Sequence, residues 1–387
     1  MDYVIIEGPS NVPGAKEGEV PIRVERAALT ETQAADRTRD PRVRGVAPVF
    51  PICLATPLAA TQTTDAWGIA ATRADQTRYT GQGVSVAVLD TGIETSHPAF
   101  AGVAFTCADF TSDASETKEM ADENGHGTHC AGTIFGRPVE GTRIGIAPGV
   151  SRAFIGRILD SGGAGDTATL YRAMLWAVEH GARVISMSLG MSYAKLVAAL
   201  AVDGWPLAAA AAYALDAYRQ NVRLFDAVMR IVGARANDTG GAIVVAASGN
   251  DNDRARFGDH QITASLPAAA DDIVSVGAAE RREGTLGIAN FSNAGPIVSA
   301  PGCDIVSAWP LAKGAGALRT LSGTSMAAPH VAGVAALHWE AALADGGQGA
   351  LMQQIVRAGL VGEARREPFG IGYSAFDAGR GIVTAPR

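Results

Sequence analysis

The sequence predicts an α/β protein with a mostly parallel central sheet, helices on both faces, and a small α+β segment in front. Three observations lead there. Short aliphatic runs at residues 84–89, 153–159, 184–189 and 243–247 are apolar throughout rather than alternating, as strands covered on both faces are. Helical patterns separate them, such as residues 167–180 with Gly181 as a C-cap candidate. Polar, glycine-flanked motifs follow the strands, where open sheets of this kind bind their ligands. With 387 residues, 47% hydrophobic and 18% charged, the chain can bury a sizeable core, which excludes global disorder.

Taken in order, residues 4–6, 22–24 and 43–50 read as short strands. Residues 30–39 read as a polar helix capped by Thr30 and stopped at Asp40-Pro41. Pro48, Pro51 and Pro57, followed by Thr61-Gln62-Thr63-Thr64, read as a linker, with a boundary between Leu58 and Asp65. The division expected is therefore residues 1–60 as one segment and 61–387 as the second. Within the second, residues 191–240 form two alanine-rich helical stretches broken at Gly204-Trp205-Pro206. Asp203, Asp216 and Arg219 exclude a membrane span there.

The net charge of −7 argues against nucleic acid or an anionic membrane as partner. Four cysteines in so long a chain make no disulfide scaffold, and no Cys-x-x-Cys pair suggests zinc. The first residues, Met1 to Glu7, carry neither a basic region nor an apolar leader. The expected location is cytoplasmic as written, or secreted if an export signal has been trimmed.

Four segments carry chemistry: Asp90-Thr91-Gly92 at a strand end; residues 124–133 around His126; residues 246–250 ending in Asn250; and residues 323–330 around Ser325. Gly323 leads Ser325 into the amino terminus of an apolar helix, where free N–H groups and the positive dipole end lie. A serine hydroxyl needs a base to become a nucleophile. His126 supplies one, and Asp90 can hold its tautomer and stabilise the imidazolium. Asn250 and the Ser325 N–H can take up a developing oxyanion.

In these motifs the chain, from about Ala66 onward, resembles the subtilisin-like serine peptidases (subtilases). The resemblance implies a serine endopeptidase working through an acyl-enzyme, with Asp90, His126 and Ser325 as triad and Asn250 as oxyanion asparagine. It implies that Ser188-Leu189-Gly190 and Gly163-Ala164-Gly165 bind substrate between them as an added strand, so the partner expected is an extended protein or peptide. Cys130 is similar to the cysteine near the catalytic histidine in the proteinase K-like branch. Ala66-Trp67-Gly68-Ile69 resembles the start of a mature subtilase, and residues 40–48 the last strand of an inhibitory propeptide. The first segment is thus expected to be an intramolecular inhibitor, cut off near residues 58–65 from a self-inhibited zymogen. One of the family's two propeptide helices has no counterpart between Ile6 and Ile22.

Other departures concern metal and substrate. Ala99 stands where subtilisins often carry a calcium-binding aspartate, and residues 137–143 lack the oxygens of their calcium loop. No cofactor is expected to be required. Structural calcium stays open elsewhere, although the usual subtilisin site is expected to be absent. The stretch 191–240 exceeds the family's length and is expected to shape distal substrate pockets. The chain is expected to be a monomer.

Plainer readings compete at several residues. A second Asp-Thr-Gly at Asp238 invites an aspartic peptidase, but it follows no apolar strand in this helix-rich chain. His97, His129 and His330 read as structural, Met326 as packing, and Cys53, Cys107, Cys130 and Cys303 as buried thiols. Asp251, Asp253 and Asp259 read as a solvated loop or as an acidic rim favouring Lys or Arg, with Arg254 and Arg256 interrupting that field. Residues 208–212 read as core-facing helix. The acyl-enzyme could also be captured by an amine, making a peptide ligase or macrocyclase. The remaining alternative is a silent binding module held shut by the first sixty residues.

Overall fold

The computed structural model describes residues 1–8, 22–54, 58, 60, 63–234, 240–314, 316–370 and 372–387. Asp238 and Thr239 of the second Asp-Thr-Gly, most of the stretch between Ile6 and Ile22 and part of the 58–65 linker lie outside them.

The chain opens with β1 (Asp2–Glu7), β2 (Arg23–Ala28), α1 (Glu31–Arg37) and β3 (Val43–Pro48). Thr30 caps α1 in a reciprocal capping box with Gln33. The three strands form an antiparallel sheet in the order β2-β1-β3. The expected single strand over 43–50 is in fact broken. β3 ends at Pro48 and a new strand, β4 (Pro51–Leu54), starts at Pro51 in a different sheet. Proline lacks an N–H and sits best at such strand ends.

After α2 (Trp67–Ala71) come β5 (Ser85–Asp90), β6 (Ala104–Asp109), β7 (Glu116–Thr117), α3 (His126–Phe135) and β8 (Arg152–Arg157). Next are β9 (Ala164–Asp166), α4 (Thr167–Glu179), β10 (Val184–Met187) and β11 (Leu189–Gly190). The inserted helices are α5 (Tyr193–Val202) and α6 (Leu207–Ala234). β12 (Ile243–Ala247), β13 (Val274–Arg282), β14 (Thr285–Ile288), β15 (Val298–Pro301), β16 (Ile305–Ala308) and β17 (Leu318–Leu321) lead to α7 (Thr324–Ala344).

The main sheet runs β14-β13-β12-β10-β5-β8-β6-β7, with β15 also on β13. Only β14 and β7 are antiparallel to their neighbours. Its central strands face two cores in alternation, as a side-chain period of two requires. Val86 and Val88 of β5 join the core under α3 and α7, while Ala87 and Leu89 join the one under α4 and α6. No described helix is long and apolar enough to cross a membrane.

Helix α6 has a packing role that the sequence did not suggest. Its buried stripe, including Ala210, Ala214, Ala217, Asn221, Leu224 and Val228, has helical spacing. In the same core as this helix lie Val4, Ile6, Ala47 and Phe50 from the amino-terminal segment. Along this stripe the insertion therefore cradles the chain's own first residues. Of residues 208–212, which read as core-facing, Ala210 alone is buried, because the stripe recurs every three or four residues and leaves the other faces in solvent.

Candidate active site

Asp90 ends β5 and His126 begins α3. The two elements meet closely because position 127 carries no side chain: a Cβ there would lie 2.1 Å from the Gly92 carbonyl oxygen and 3.2 Å from the Asp90 Cβ. The Gly127 N–H instead donates to Thr91 Oγ1 at 3.0 Å. Asp122, which the sequence analysis passed over, ties down the start of the helix. It accepts from the N–H groups of Asn124, Gly125 and Thr128 and from the hydroxyls of Thr91 and Thr128. The only signal for it was an aspartate just ahead of a glycine-flanked helix start.

His126 and Asp90 are both 1% exposed, and His126 Nδ1 donates to Asp90 Oδ1 at 2.8 Å. An ionised carboxylate only accepts, so the neutral imidazole carries its proton on Nδ1 and its lone pair on Nε2. Among the described residues Nε2 has no hydrogen-bond partner. Burial pushes the imidazole pKa down. The Asp90 charge and hydrogen bond, with Cys130 beside the ring, outweigh burial and hold it well above the usual histidine value.

Ser325 is in the first turn of α7 and wholly buried. Its hydroxyl donates to the Ser188 carbonyl at 3.1 Å, while the Ser188 hydroxyl donates to the Ser325 carbonyl at 3.0 Å. Cys130 Sγ lies 3.4 Å from that same carbonyl and 3.8 Å from His126 Nδ1, so one thiol touches both the serine and the histidine residue. Four residues on stands Pro329, inside the helix. Having no N–H, it cannot pair with the Ser325 carbonyl, and the two side-chain donors take its place. Burial raises the Cys130 pKa, which keeps the thiol a donor.

Asn250 follows β12. Its Oδ1 accepts from the Thr324 N–H at 2.9 Å and the Thr324 hydroxyl at 2.7 Å, which assigns its amide nitrogen to the opposite side. A Cβ at Gly323 would come within 3.1 Å of that nitrogen, so glycine leaves the amide room. Thr324, which the sequence reading did not single out, thus holds the Asn250 side chain in place.

The expected 184–189 strand is split as well: β10 belongs to the main sheet, and β11 to a small antiparallel sheet in the order β11-β4-β9. Leu189 pairs with Leu54 and Gly190 with Cys53 on one side. Asp166, Gly165 and Ala164 pair with Pro51, Ile52 and Cys53 on the other, and the Leu54 N–H donates to the Gly163 carbonyl at 3.0 Å. The two strands expected to grip substrate thus grip residues 51–54 of the same chain. Beyond the cleft, the Leu58 N–H donates to the Ser322 carbonyl at 2.8 Å, and Thr63 exchanges hydrogen bonds with Thr320. Of residues 40–48, expected to be the last strand of the inhibitory segment, Val43–Pro48 form β3 of the amino-terminal sheet, and the strand that enters the cleft follows it.

Asp90, His126 and Cys130 form a group whose ligand atoms lie within 4.8 Å of one another, the only such group among the described residues. The aspartate–imidazole hydrogen bond and the buried thiol on the serine carbonyl fit proton positioning better than an ion. His97, His129 and His330 make the structural contacts expected of them. His129 Nε2 lies 3.1 Å from the carbonyls of Ile305 and Arg319, and burial takes its pKa down to about 3. His330 Nδ1 donates to the Met326 carbonyl, and burial takes its pKa down to about 4. His97 caps the turn at Ala99. Met326, Cys107 and Cys130 are buried as read. Cys53 and Cys303 are only partly so, Cys53 because it lies in the cleft strand.

A family model described as the subtilase family matches residues 81–373. Subtilisin DY of Bacillus licheniformis is 34% identical over 276 residues, 70% of this chain and 83% of that protein. A cuticle-degrading serine protease of Arthrobotrys oligospora is 32% identical over 76% of this chain and 62% of its own length. An intracellular serine protease of Paenibacillus polymyxa is 33% identical over 68% of each. The chain spans only about half of several further fungal relatives.

Proposed function

This chain belongs to the subtilase family of serine endopeptidases, and from that premise we propose that it is made as a self-inhibited zymogen acting on extended polypeptides. His126 takes the Ser325 proton through Nε2, and Ser325 attacks the peptide carbonyl to give an acyl-enzyme. Asp90 keeps the other ring nitrogen protonated and stabilises the imidazolium. The Ser325 N–H and the Asn250 amide receive the oxyanion. His126 then protonates the leaving amine and activates water. Before the first turnover the Ser325 hydroxyl, held on the Ser188 carbonyl, turns about its Cα–Cβ bond toward the imidazole. No metal takes part in these steps, and any structural calcium lies outside the usual subtilisin site. The enzyme acts as a monomer.

One observation carries the inhibited state. Residues 51–54 are hydrogen-bonded on both edges, as a substrate strand would be, and the chain continues past Ser322 on the far side. Substrate recognition by strand addition reads the backbone first, which favours unstructured protein.

Intact masses and amino-terminal sequences of the wild type and of Ser325→Ala test this reading. A shortened wild type beside a full-length variant is expected, the new terminus lying between residues 54 and 66. Equal lengths for the two proteins contradict self-processing.

A further inference from the structure

A cavity of about 100 Å³, roughly three water volumes, opens beside the cleft strand. Gly190, Asn250, Asp251, Ser265 and Lys195 line it, and Leu54 closes it from the chain's own segment. Its position identifies the side chain it takes. On the proposed mechanism the residue that follows a strand paired like residues 51–54 would carry the scissile carbonyl to Asn250, and its side chain would enter this cavity.

Its charge is set by two residues far apart in sequence. Asp251 supplies the carboxylate of the wall. Asp253 lies away from the cavity and accepts from the Asn290 amide, while Arg254 is paired with Asp377 at 2.6 Å. Of Asp251, Asp253 and Asp259, the acidic rim considered from the sequence, Asp251 alone is among the lining residues. Lys195, on the first turn of α5, places Nζ 3.6 Å from Asp251 Oδ1. The Ser192 cap fixes where that turn starts, by accepting from the Lys195 N–H. Lys195 is 60% exposed and Asp251 29%, so the pair is solvated and adds little to stability. Its effect on an incoming charge is larger, because a cationic side chain meets a neutralised carboxylate and must displace a tethered ammonium.

We propose that Lys195, supplied by the inserted helix, sets the charge preference of this pocket, so that the peptidase takes uncharged residues before the scissile bond and rejects lysine and arginine. The proposal rests on the peptidase reading above.

The test uses fluorogenic peptides that differ only at that residue, with the wild type, Lys195→Ala and Lys195→Glu. The lysine-to-leucine ratio of kcat/KM is expected to rise about threefold in Lys195→Ala and about tenfold in Lys195→Glu. Adding Asp251→Asn to Lys195→Ala should abolish the gain. Ratios unchanged in both Lys195 variants overturn the proposal. Labelling rates with diphenyl phosphonates of lysine and leucine give the same ratio without deacylation. Peptides left uncut by the wild type while these labels still react would tell against the hydrolase reading alone; the labelling ratio still decides the role of Lys195.

Discussion

Pro329 shapes the surroundings of Ser325, the proposed nucleophile. By leaving the Ser325 carbonyl without a helical N–H, it creates an acceptor that Ser188 and Cys130 fill, and so links three elements at the nucleophile. The Asp90–His126 pair acts on the proton. With its pKa held above the ordinary 6.5, His126 is neutral, and competent as a base, only at higher pH. Labelling of Ser325 by a small fluorophosphonate is expected to rise with pH along a limb centred above 6.5. Asp90→Asn removes the largest raising influence, so the limb should move to lower pH while the plateau falls by about four orders of magnitude, the loss seen for triads of this type. A limb that stays in place would show that Asp90 does not hold the imidazole charge. The same elevation stabilises the folded state fully below about 6.5, and that contribution is lost as pH rises through the folded value.

At the scale of elements, the pairing of insertion and amino-terminal segment rests on α6. Asn221, fully buried on this helix, donates to the Pro48 carbonyl at 3.0 Å and accepts from the Tyr171 hydroxyl at 3.2 Å. Thr167 and Phe50 exchange two further hydrogen bonds of 3.0 Å, just before the chain enters the cleft. Asn221→Ala takes the side-chain donor from the Pro48 carbonyl and leaves the Tyr171 hydroxyl only its 3.4 Å bond to the residue 221 carbonyl, at a cost of about 1–3 kcal/mol. Calorimetry of full-length Ser325→Ala with and without this change should show the loss as a lowered Tm. An unchanged Tm would mean that Asn221 does not anchor the segment. Much of this level was not legible in the sequence. Residues 48–57 read as a proline-rich linker because β4 has no pattern of its own; it becomes a strand only through partners more than a hundred residues downstream. The α6 stripe was hidden by alanines, which favour helix whether exposed or buried.

At the scale of the whole molecule, the main sheet brings strand ends and helix starts together, and this part was legible. Asp90, His126, Asn250 and Ser325 each sit in a local glycine-flanked motif that announces a tight turn at a strand or helix end. What joins such motifs was not legible: Asp122, Thr324 and Lys195 depend on contacts that only the folded chain creates. The proposed self-inhibition requires that residues 51–54 hold the cleft of a Ser325 peptidase closed. Ile52, 1% exposed and paired with Gly165, seats that strand through a side chain whose burial is worth about 1.5–3 kcal/mol. Its replacement by aspartate should unseat the strand and leave the catalytic residues untouched. The most direct measurement is the rate of fluorophosphonate labelling at Ser325, located by peptide mapping, in freshly made, still unprocessed chains of the wild type and of Ile52→Asp. Labelling at least about tenfold faster in the variant is the result predicted. Equal rates, or a label found elsewhere than on Ser325, would contradict the claim.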